Sequence, residues 1–174
     1  LLLLTSYRWQ YLLLNLNFSS AATYYTRVTG NWNALTTWST VGCGGAMAAS
    51  FPAAGDNIIV CVGTTVTVNI NTTIANVTIN SGGTLQNGGG STTNRSLTVT
   101  GTLNVANGGT LIQNSTVVAS SSLFAGTEIF GISSTVTISN WSSIAVPLIN
   151  GVGTNFGHLN LNWNPGVNWW NNQG

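Results

Sequence analysis

Between Asn57 and about Ile144, apolar and polar residues alternate in short runs with a period of two. The clearest are Thr65-Val66-Thr67-Val68, Ala75-Asn76-Val77-Thr78-Ile79, Ser96-Leu97-Thr98-Val99-Thr100, Thr102-Leu103-Asn104-Val105 and Thr135-Val136-Thr137-Ile138, with Ile58-Ile59-Val60 a shorter apolar run. That period puts alternate side chains on opposite faces of a strand, and the β-branched residues that fill the runs suit a pleated surface. No stretch in this region carries a helical apolar stripe. The pattern predicts an all-β fold.

The runs are organised by a repeat. Ser81-Gly82-Gly83-Thr84-Leu85-Gln86-Asn87 returns as Asn107-Gly108-Gly109-Thr110-Leu111-Ile112-Gln113-Asn114, an offset of 26, with a shorter echo at Thr100-Gly101-Thr102-Leu103. A repeat of that length in an all-β chain predicts a right-handed parallel β-solenoid (β-helix), in which each coil gives one strand to each of several sheets and glycine takes the corners. At about 20–25 residues per coil, residues 56–145 would form about four coils. An antiparallel β-sandwich is the alternative, because it also has short strands and closely spaced turns.

The ends differ from this middle region. Residues 21–55 hold Tyr24, Tyr25, Trp32 and Trp38 among turn residues, and are read as an aromatic cap that closes one end of the coils. Residues 1–20 are read as an apolar N-terminal arm or a signal peptide: leucine-rich, ending in small residues, but interrupted by Arg8, Trp9 and Gln10. Residues 146–174 are read as a C-terminal strand or cap. His158-Leu159-Asn160-Leu161-Asn162-Trp163 mirrors Leu14-Asn15-Leu16-Asn17-Phe18, each alternating leucine with asparagine before an aromatic residue. Leu12, Leu14, Leu16, Phe18, Leu159, Leu161, Trp163, Trp169 and Trp170 are the candidate assembly residues, acting by strand addition to a neighbouring copy. Pairing within one chain is the alternative.

Charge narrows the function. In 174 residues there are three arginines, two acidic residues and no lysine, so 3% of the chain is charged against roughly 25% in an average soluble domain. A surface of Asn, Thr, Ser and Gly strands no charge when it meets an equally neutral neighbour, so self-association is cheap. Three scattered arginines cannot displace the counterions of a nucleic acid or an anionic membrane, and no transmembrane span is expected. Cys43 and Cys61 are the only cysteines, and a disulfide between them would close a loop of about 19 residues worth roughly 3 kcal/mol. Two separate buried thiols are the alternative. Six Asn-x-Ser/Thr sequons and almost no charge look extracytoplasmic, which favours the disulfide and an extracellular or cell-surface setting.

Gly30-Asn31-Trp32-Asn33, Thr37-Trp38-Ser39, the run from Phe51-Pro52 through Gly55-Asp56 to Val60, and Gly63-Thr64-Thr65-Val66-Thr67-Val68 together resemble the opening of the eight-glycine β-helical domain family. They equally resemble the repeat-rich surface proteins that Bacteroidota export by type IX secretion. The resemblance covers about residues 24–112. It implies a parallel β-helix outside the cell serving as scaffold or adhesive stalk, with no activity attached.

Reaction chemistry finds few hosts. Asp56, in a Gly-Asp turn, is read as a structural residue that accepts hydrogen bonds from nearby backbone N–H groups. Glu128 stands alone in sequence, and nothing joins it to Asp56 as a glycosidase dyad. His158 has no carboxylate neighbour in sequence. The chain is accordingly read as a non-enzyme with no cofactor and no metal site. Its partners are read as copies of itself in a filament or adhesive fibre, with surface glycans as an alternative because Trp163, Trp169 and Trp170 could form a stacking platform. A third reading, ice binding, would use the Thr-x-Thr ranks at 65–67, 98–100 and 135–137. Their spacing is unequal and asparagine interrupts them, so no thermal hysteresis is expected from the sequence.

Overall fold

The computed structural model describes residues 20–88, 95–114, 126–141 and 157–163. Among these residues fourteen strands follow one another: β1 (Thr23–Thr26), β2 (Gly30–Asn31), β3 (Trp38–Ser39), β4 (Asn57–Val60), β5 (Thr65–Val68), β6 (Thr72–Ile74), β7 (Asn76–Ile79), β8 (Thr84–Asn87), β9 (Leu97–Val99), β10 (Thr102–Val105), β11 (Thr110–Gln113), β12 (Thr127–Phe130), β13 (Thr135–Trp141) and β14 (His158–Trp163). A single 3-10 turn, Leu35–Thr37, is the one helical element among the described residues. The fold is all-β.

Sheet A has the order β12-β10-β7-β4-β1-β3, sheet B the order β14-β13-β11-β8-β5-β2, and sheet C pairs β6 with β9. Every ladder among the described residues is parallel except β1 with β3, which is antiparallel. The chain therefore leaves sheet A, runs through sheet B and returns to sheet A one strand further along. Successive returns to sheet B fall 19, 26, 25 and 23 residues apart, from Thr65 to Thr84, Thr110, Thr135 and His158.

The unequal circuits have a local cause. From β4 onward the described steps from sheet A to sheet B are five residues each: Val60 to Thr65, Ile79 to Thr84, Val105 to Thr110 and Phe130 to Thr135. In each step a backbone bond closes the turn, from Thr64 to Cys61, Gly83 to Asn80, Gly109 to Ala106 and Ser134 to Gly131. Glycine occupies the third position of the first three turns with φ of 72, 72 and 75°, as a type II turn requires. The next residue sits against the turn of the previous circuit. A Cβ on Gly83 would lie 2.8 Å from the Val60 carbonyl oxygen, and one on Gly109 2.9 Å from that of Ile79. That close approach is why Gly-Gly recurs. Between β5 and β13 the length variation falls on the return from sheet B to sheet A, where it does not disturb the sheet B register.

One part of the repeat reads differently in three dimensions. Thr100-Gly101-Thr102-Leu103 leads into β10 of sheet A, whereas the two Gly-Gly-Thr-Leu segments lead into β8 and β11 of sheet B. Its structural counterpart is Gly126-Thr127-Glu128, since Leu103 is in register with Glu128.

Inward positions stack into columns. In sheet A, Ile58, Val77 and Leu103 are in register and each is no more than 1% exposed, and in sheet B Val66, Leu85, Leu111 and Val136 are equally buried. One tier is polar: Asn87 donates through Nδ2 to Gln113 Oε1 at 2.8 Å in the register position flanked by Val68 and Ile138. Residues 21–55 give β1 to sheet A and β2 to sheet B, so this segment continues the stack as well as covering it. Over it lie Trp32 and Trp38, both with no exposed surface, edge to face at 5.3 Å, with Tyr24 against Trp38 at 6.3 Å.

Candidate functional site

The covalent constraint is at the covered end. Cys43 and Cys61 form a disulfide with Cα atoms 5.9 Å apart. Cys61 opens the turn between β4 and β5 and donates its N–H to Thr26 Oγ1 at 2.7 Å. Thr64 Oγ1 donates to the Cys61 carbonyl, so the 2.6 Å bond between Thr26 and Thr64 hydroxyls is donated by Thr26. Thr26, itself fully buried, thereby satisfies the turn from below. The disulfide ties the 40–50 loop to that same corner.

Asp56 sits where the chain enters β4. Its Oδ1 accepts from the Ala22 N–H at 2.9 Å and its Oδ2 from the Ala53 N–H at 3.0 Å, and its own N–H donates to the Ala53 carbonyl. The carboxylate braces the Ala53–Asp56 turn and pins the start of β1 beside β4. Glu128, by contrast, takes an inward position on β12 and is 1% exposed. Asp56 and β12 are separated by three strand intervals in sheet A, about 14 Å, beyond the separation of about 5–9.5 Å at which two carboxyls act on one glycosidic bond. His158 is exposed at the start of β14, in register with Thr135. Among the described residues, no group of three or more His, Cys, Asp or Glu side chains could hold a metal ion, and no helix is long and apolar enough to cross a membrane.

The candidate assembly residues divide. Leu12, Leu14, Leu16, Phe18, Trp169 and Trp170 lie outside the described residues. Leu159, Leu161 and Trp163 lie on β14, which pairs in parallel with β13 of the same chain, Val136 opposite Leu159 and Ile138 opposite Leu161. Within-chain pairing occupies one edge of β14, and among the described residues it is the last strand of sheet B. Any addition to a neighbour by this strand would use its other edge.

Among the described residues, the outside of the two long sheets carries ordered columns of side chains. In sheet B the outward positions of β5, β8, β11 and β13 form two columns: Thr65, Thr84, Thr110, Thr135, and beside it Thr67, Gln86, Ile112, Thr137. In sheet A the corresponding residues of β4, β7, β10 and β12 are Asn57, Asn76, Thr102, Thr127 and Ile59, Thr78, Asn104, Ile129. Neither set contains an acidic or basic side chain. On sheet A the amides bond along the stack, Asn76 Nδ2 donating to Asn57 Oδ1 at 2.7 Å and the Thr102 N–H to Asn76 Oδ1 at 2.8 Å. The sequence hid the threonine column because its members are unevenly spaced. The available signal was the threonine that follows each A-to-B corner: Gly63-Thr64-Thr65, Gly82-Gly83-Thr84, Gly108-Gly109-Thr110 and Ser133-Ser134-Thr135.

No family model matches the chain, and searches of the curated proteins and of the solved structures find no match.

Proposed function

We propose that this chain is a right-handed parallel β-solenoid that acts outside the cell as a structural subunit, self-assembling into a filament or adhesive fibre. The solenoid reading is supported by circuits that return in parallel to both sheets with a constant corner, which an antiparallel sandwich would not produce, and the handedness follows the strong preference of parallel crossovers. The Cys43–Cys61 disulfide supports an oxidising, extracytoplasmic setting. The resemblance to exported β-helical surface proteins points the same way.

One observation carries the assembly reading: eight outward positions on each long sheet hold no Lys, Arg, Asp or Glu. Packing such faces, or adding a strand along β14, desolvates hydroxyls and amides that find equivalent partners and leaves no ion unpaired. Assembly of this kind is insensitive to salt, unlike one held by ion pairs. Negative-stain microscopy with sedimentation at low and at molar salt tests it. Elongated assemblies at both salt levels are expected. A monodisperse monomer across the concentration range would contradict the proposal.

A further inference from the structure

The outward face of sheet B is more regular than solubility or strand propensity requires. Six of its eight outward positions over β5, β8, β11 and β13 are threonine, against three of eight on the matching face of sheet A. Both faces belong to the same strands' circuits and face the same pressure for β-branched residues, so propensity alone does not account for the difference. The first column, Thr65, Thr84, Thr110 and Thr135, is unbroken, and the ladders from β5 to β13 pair residue for residue without a bulge. Its residue positions recur at about 4.8 Å along the stack, and the second column lies about 6.6 Å away along the strands.

We propose that this face is an ice-binding surface. Each threonine offers one hydroxyl that both donates and accepts, beside a methyl group that cannot. A two-dimensional array of that pair anchors water at fixed points and leaves it to hydrogen-bond to itself between them. The strand interval is close to the short oxygen repeat of hexagonal ice, so the anchored layer joins the lattice at several positions at once. Each hydroxyl contributes little alone, and the regular array provides the affinity. No charged side chain on the eight positions holds a competing hydration shell. The neutrality would also admit a polysaccharide crystal, but sugar rings are held by stacking on aromatic side chains, and none of the eight is aromatic. Gln86 does not stand out from the face, since its amide donates to the Gly88 carbonyl at 3.1 Å. The unequal sequence spacing that argued against such a face is absorbed elsewhere in each circuit. The 98–100 rank belongs to sheet C and takes no part, since Thr98 pairs with Thr73 there.

This inference does not rest on self-assembly, and the test separates the two. The full oxidised chain is assayed for ice shaping and thermal hysteresis beside a Thr84→Lys/Thr110→Lys variant and an Asn104→Lys control on sheet A, each checked for an unchanged melting curve. Faceted ice crystals and measurable hysteresis are expected for the wild type and the control, with loss of both in the double variant. A folded wild-type chain that leaves ice growth unshaped overturns the proposal, whether or not it pellets with microcrystalline cellulose or chitin. So does a double variant that keeps full activity.

Discussion

Trp38→Ala is expected to destabilise the protein by about 3–5 kcal/mol and to lower its melting temperature by roughly 10 °C. The indole is fully buried and packs edge to face with both Trp32 and Tyr24, so truncation opens a cavity that two rigid rings cannot fill. Its Nε1 also donates to the Trp32 carbonyl at 2.7 Å, and Trp32 Nε1 in turn donates to the Pro52 carbonyl at 3.2 Å. Removing Trp38 leaves the buried Trp32 carbonyl without its donor and loosens the Trp32 ring that packs against it. Trp38→Phe keeps most of the apolar contact and loses the N–H, so it should fall between the two. Chemical denaturation followed by far-UV circular dichroism reads the series. A Trp38→Ala loss below about 1 kcal/mol would mean that the aromatic layer is not holding this end of the stack.

Replacing Cys43 and Cys61 together by serine is expected to cost about 3 kcal/mol, the loop-closure contribution for a separation of 18 residues. The loss should appear mainly as easier opening of the 40–50 loop. That loop is otherwise held by few backbone bonds, among them Ala48 N–H to the Trp38 carbonyl and Gly44 N–H to the Thr26 carbonyl. Because Cys61 and Trp38 brace the same layer, combining the serine variant with Trp38→Ala should cost less than the two losses added. Strict additivity would show instead that the disulfide and the aromatic layer act independently. Reduction of the wild-type protein should reproduce the serine result.

Much of this architecture was legible from residue order. Period-two alternation marked Thr65–Val68, Ala75–Ile79 and Thr102–Val105 as strands; the structure has Thr65–Val68, Asn76–Ile79 and Thr102–Val105, with alternate residues buried. The disulfide was legible because only two cysteines exist. Register was not, because it depends on where each circuit absorbs its extra residues. An offset of 26 relates β8 to β11, whereas 19 relates β5 to β8. Self-similarity at one period therefore showed one pair of corners and missed the threonine column. The Thr100-Gly101-Thr102-Leu103 echo misled for a related reason: Gly-Thr-Leu suits any corner entering a strand, whichever sheet the strand joins. Glu128 was equally hidden. Nothing in Thr127-Glu128-Ile129-Phe130 marks the acid as inward and the isoleucine as outward, yet registry with Leu103 buries the one and leaves the other 44% exposed. Strand neighbours, rather than side-chain polarity, decided its face.

Residues far apart in sequence share one in-register parallel column. Nitroxide labels on Thr65→Cys and Thr110→Cys, placed with the native disulfide intact, test it directly, because two strand intervals put those positions about 10 Å apart across 45 residues of chain. Strong dipolar broadening of the doubly labelled spectrum, absent from either single label, is the predicted result. A doubly labelled spectrum that equals the sum of the single ones would contradict the register, and with it the threonine face.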